Sequence, residues 1–87
     1  MAFHLPQLSC KLRPEVAALQ PELVQWRRYL HQRPELGFQE HGTAAFVSEK
    51  LRQWGIQHRT GIAQTGIEAL IPGTRPGPVL AIRADMD

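Results

Sequence analysis

Apolar residues in the first half of the chain recur at helical spacing. Leu19, Leu23, Trp26 and Leu30 are separated by four, three and four positions, which lines them up along one face of a helix. Pro21 would break that helix from within but suits its first turn, with Gln20 before it. Arg27 and Arg28 lie toward the C-terminal end, where cations complement the helix dipole. Pro34 limits the helix to about Gln32. The turn PELGF then leads to a second stripe, Ala44, Val47, Leu51 and Trp54, which places a helix over about 40–54 with Gly55 as its terminator. Both tryptophans fall on these stripes and read as core anchors.

After Gly55 the period shortens. Residues 56–60 alternate weakly, 66–71 read as a short strand, and PGTRPGP at 72–78 is a turn dense in proline and glycine. Residues 79–84 form a nearly continuous apolar strand, the kind buried on both faces of a sheet. Two N-terminal helices followed by strands define an α/β arrangement, with 66–71 and 79–84 expected to pair as a hairpin. Residues 1–13 read as a flexible N-terminal tail and 14–87 as the folded part.

Composition narrows the class. A chain of 87 residues holds one small domain, and 43% hydrophobic with 21% charged residues argues against disorder. The net charge of +2 comes from ten cations and eight anions scattered along the chain, which is no footprint for nucleic acid. No apolar run reaches the ~18 residues a membrane span needs. The start MAFHLPQLSCKLR is interrupted by Pro6 and does not read as a signal peptide. The single cysteine, Cys10, leaves no internal disulfide and suits a reducing compartment, so a cytoplasmic location is expected.

The candidate chemistry lies in the acidic residues. The apolar run VLAIRADMD carries Asp85 and Asp87 two apart, so in extended backbone both face one side with Met86 opposite. They stand just past the carboxyl end of a strand, where open α/β sheets place their ligands. Spacing alone accommodates both a ligand-binding pair and two merely solubilising acids. His31 and Glu35 have the i, i+4 spacing of a helical metal pair, but Pro34 ends the helix between them, which favours a capping or salt-bridging role near the helix ends. Glu40 and His41 open the second helix, where an acid is favourable. His4 and His58 have no partners in sequence and read as surface residues. No phosphate-cradling glycine loop, nucleophile elbow or H-E-x-x-H motif is present.

The order RRYLHQRPELGFQE, TAAFVSEKLRQWG, TGIAQTGIEALIPG and PGPVLAIRADMD, over residues 12–87, resembles the opening of the metal-dependent amidohydrolases related to aminoacylase and carboxypeptidase, on the branch of hippurate and indole-acetyl-amino-acid hydrolases. The resemblance implies the first part of a zinc-peptidase-like three-layer catalytic domain. It also implies hydrolysis of the amide bond of N-acyl amino acids by water activated on a divalent metal, zinc or manganese. It carries Asp87 over as a site-supporting acid and leaves Asp85 at the site rim. Within these residues it assigns no metal ligand, because the branch's Cys-Gly-His-Asp motif, paired glutamates and later histidines are expected beyond Asp87. A homodimeric parent follows from the same resemblance, with a small-molecule substrate and neither nucleic acid nor membrane as partner. The 87-residue chain by itself is expected to be inactive. The rival reading is a non-catalytic module that binds a partner through an open sheet edge.

Overall fold

The computed structural model describes residues 12–87. The expected tail, with His4 and Cys10, therefore lies almost wholly outside the described residues. Three helices precede a two-stranded antiparallel sheet: α1 (Pro14–Ala17), α2 (Gln20–His31), α3 (His41–Gln53), β1 (His58–Ile62) and β2 (Gly66–Ala69). The class is mixed α/β, with the helical half ahead of the strands as the hydrophobic pattern indicates.

A turn at Ala18 and Leu19 separates α1 from α2. Pro21 has no N–H to offer the carbonyl one turn back, so a continuous helix loses a hydrogen bond there, whereas a new helix starting at Gln20 loses nothing. Arg28 and His31 occupy the last turn of α2, and the chain leaves the helix ahead of Pro34. The α3 terminus is a Schellman arrangement: the Gly55 amide reaches Arg52 O at 3.0 Å and the Ile56 amide reaches Leu51 O at 2.9 Å. Gly55 takes φ 69°, the left-handed value this closure requires.

Aromatic and cationic side chains join α2 to α3. Tyr29 stacks on Phe46 with ring centroids 4.8 Å apart, and Trp26 meets Trp54 at 5.6 Å. Lys50 lies 5.3 Å from the Trp26 ring centre and 5.5 Å from that of Phe46, while the Arg33 guanidinium lies 4.1 Å above Tyr29. The tryptophans are thus not core anchors: they pair with each other at the surface, and Trp54 stays 54% exposed. Ala44, Val47 and Leu51 are half-buried on the face of α3 that meets the sheet.

The hairpin pairing corrects the expectation. Strand 66–69 pairs with the preceding 58–62, in the register His58 with Ala69 and Arg59 with Glu68, not with 79–84. Ala63 and Gln64 both take positive φ, 48° and 81°, giving the tight turn whose twist matches antiparallel strands. Arg59 donates to Glu68 across the ladder at 2.7 Å. Residues 79–84 join no ladder, and Val79, Leu80 and Ile82 are 86%, 84% and 87% exposed. The reason is mutual dependence: a strand apolar on both faces is stable only with cover on both, and α3 covers a single face of a single hairpin.

Gly66 shows how tight the hairpin closure is. A Cβ there would lie 2.5 Å from the Ile62 carbonyl oxygen, a backbone atom with no freedom to move aside. Gly66→Ala is expected to destabilise the hairpin by about 1–3 kcal/mol through overpacking. The check is loss of the Arg59–Glu68 cross-strand signals by NMR, and an intact hairpin of unchanged stability would contradict this reading.

Candidate functional site

The site begins with a carboxylate that caps a helix from outside it. The first amides of α3 have no partner within the helix, and Glu40, the residue at the cap position, makes no capping bond with its own side chain. Glu35, from the preceding turn, supplies the acceptors instead. Its Oε2 receives the Gly42 amide at 2.9 Å, and its Oε1 receives both the Thr43 amide and the Thr43 hydroxyl at 2.7 Å. Pro34 explains the reach, because it ends α2 and turns the chain so that Glu35 faces the next helix instead of continuing the last one. Of the capping or salt-bridging role expected for His31 and Glu35, the capping part is present in Glu35, and no hydrogen bond joins it to His31. A Cβ at Gly42 would stand 3.2 Å from Glu35 Oε2, so the absence of a side chain there lets the carboxylate approach.

Glu40 turns the other way. Its Oε1 accepts from the Gln39 amide at 3.1 Å and its Oε2 from the Thr65 hydroxyl at 3.0 Å. Glu40, Thr43 and Thr65 are the buried residues of the described chain, at 8%, 7% and 5% exposure. A buried carboxyl group is stable only when hydrogen-bonded, and this bond ties the start of α3 to the hairpin turn. The Glu40–Thr65 contact is not legible in the sequence. Its local signal is an acid opening a helix, and nothing in the spacing of the two residues points to the partner.

His58 is also better connected than its isolation in sequence suggests. Its Nδ1 lies 2.9 Å from the Ile56 carbonyl and its Nε2 2.7 Å from Ser48 Oγ. A carbonyl only accepts, so Nδ1 carries the proton, and in the neutral ring Nε2 accepts from the serine hydroxyl. The imidazole pins β1 to α3 and is not a free surface group.

The two aspartates reach a groove of about 720 Å3 between α2, α3 and β2. Leu30, Val47, Ile67, Ala84 and Met86 give it apolar walls, and His31, Glu35, Asp85 and Asp87 stand along it. Asp85 is exposed and accepts from Arg83 Nε at 3.2 Å. Asp87 lies against the turn before α3: a Cβ at Gly37 would be 3.7 Å from its Oδ2 and 4.0 Å from Glu40 Oε1. Met86 between them is the half-buried residue of this segment. Among the described residues no group of three or more His, Cys, Asp or Glu side chains gathers where a metal ion could be held. Asp85 is committed to Arg83, and Asp87 brings one carboxylate without imidazole or thiolate beside it, so these residues do not by themselves fit a catalytic metal.

Comparison with known proteins gives these acids a context. The chain is 44% identical over 72 residues to an N-acyl-L-amino acid amidohydrolase of Geobacillus stearothermophilus, covering 83% of this chain and 20% of that protein. It is 38% identical over 78 residues to thermostable carboxypeptidase 2 of Saccharolobus solfataricus, covering 88% of this chain and 20% of that one. With the hippurate hydrolase of Campylobacter jejuni it shares 37% over 76 residues, 87% of this chain and 20% of the relative. Over these matched residues the chain is similar to amidohydrolases and carboxypeptidases. It spans about a fifth of the length of these relatives. No protein-family model and no solved structure matches it. Among the described residues no helix is long and apolar enough to cross a membrane.

The cap makes the site sensitive to acid. The hydrogen bond from the Thr43 hydroxyl, followed by those from the Gly42 and Thr43 amides, holds the Glu35 carboxyl below the usual carboxylate range. A lowered folded value means that the cap's stabilisation is complete above the ordinary glutamate range and is lost as pH falls through the lowered value. The Gly42 and Thr43 amide resonances are therefore expected to titrate together below the ordinary glutamate range, moving toward unbonded shifts. Amides that stay fixed to the acid limit, or that move near neutral pH, would contradict the assignment.

Proposed function

We propose that these residues form part of an N-acyl-amino-acid amidohydrolase, acting on hippurate-like substrates, with Asp87 as an acid that supports the site and Asp85 at its rim. What carries the reading is the placement of Asp87: it stands in the groove between α2, α3 and β2, against a turn fixed by Glu35 and Glu40. The names of the relatives supply the class of reaction. In this reading residues 14–87 are the opening of a three-layer catalytic domain in a cytoplasmic, homodimeric protein whose partner is the small substrate, with neither nucleic acid nor membrane engaged. A divalent metal, zinc or manganese, belongs to the reaction and would polarise the amide carbonyl when bound. Its ligands lie outside residues 12–87, so these residues alone are inactive.

What this segment contributes is shape and charge. The side chains of Leu30, Val47 and Ile67 line the groove with apolar surface, and Asp87 presents an acceptor along it. An acceptor there orients a donor brought by the remainder of the enzyme, a contribution that commonly amounts to one or two orders of magnitude in activity.

A second reading, a binding module without catalysis, draws on the exposed row Leu70, Ile71, Val79, Leu80 and Ile82. One assay separates the two. In a full-length enzyme that carries these residues, Asp87→Asn is expected to lower kcat for glycine release from benzoylglycine by about 10–100-fold, with Asp85→Asn costing less. Equal turnover by wild type and Asp87→Asn would remove Asp87 from the site, and absence of any amide hydrolysis would favour the module.

A further inference from the structure

No further inference is drawn: the strongest candidate, the exposed apolar run of Val79, Leu80 and Ile82 that follows the hairpin and joins no ladder, carries nothing because nothing in the structure shows what covers it.

Discussion

The structure depends on a hydrogen bond between two residues far apart in the chain, from the Thr65 hydroxyl to the Glu40 carboxyl group. The described residues bury no large apolar side chain, and their most protected positions are polar. Burying a carboxyl group is costly unless its oxygens are satisfied, and here the Gln39 amide and Thr65 satisfy one oxygen each. Once satisfied, the group links three elements: the start of α3, the turn before it and the hairpin turn after it. Glu35 adds a second tie to the same helix end from the opposite side. Tyr29 on Phe46 and Lys50 over Trp26 join α2 to α3, and the Ser48–His58 bond joins β1 to the helix.

How much of this could be read from sequence followed the range of the interactions. The two long helices were legible because their determinants are local: apolar stripes, Pro21, Pro34 and Gly55 act within a turn or two of where they stand. That Glu35 leaves α2 for a capping or salt-bridging role was legible for the same reason, since Pro34 ends the helix locally, but which of the two roles it takes was not. The strands were harder. The apolar run at 79–84 implied a partner in 66–71, but the short turn at Ala63 and Gln64 closes 58–62 onto 66–69, and the later run is left without cover. The Glu40–Thr65 contact and the approach of Asp87 to Gly37 were not legible at all, because only tertiary folding brings those residues together. His58 was misread for that reason too.

The functional picture takes shape from the same constraint. Asp87 arrives on a segment that joins no ladder and stands along the groove between α2, α3 and β2. The turn PELGF, which in sequence looks like a connection between helices, lies beside it. Glu35 within it reaches to α3, and Glu40 just after it reaches to the hairpin. The similarity of the chain to amidohydrolases and carboxypeptidases extends over these residues.

Amide hydrogen exchange at neutral pH reads the hold on this end of α3. The amides of Gly42 and Thr43 stand in the first turn of α3, where backbone partners are absent and exchange is ordinarily fast. If Glu35, Glu40 and Thr65 hold this end of the helix as described, both amides should exchange as slowly as those in the middle of α3, such as Ser48. Exchange of Gly42 and Thr43 at the rate of an unstructured chain, with the helix interior still protected, would contradict the account.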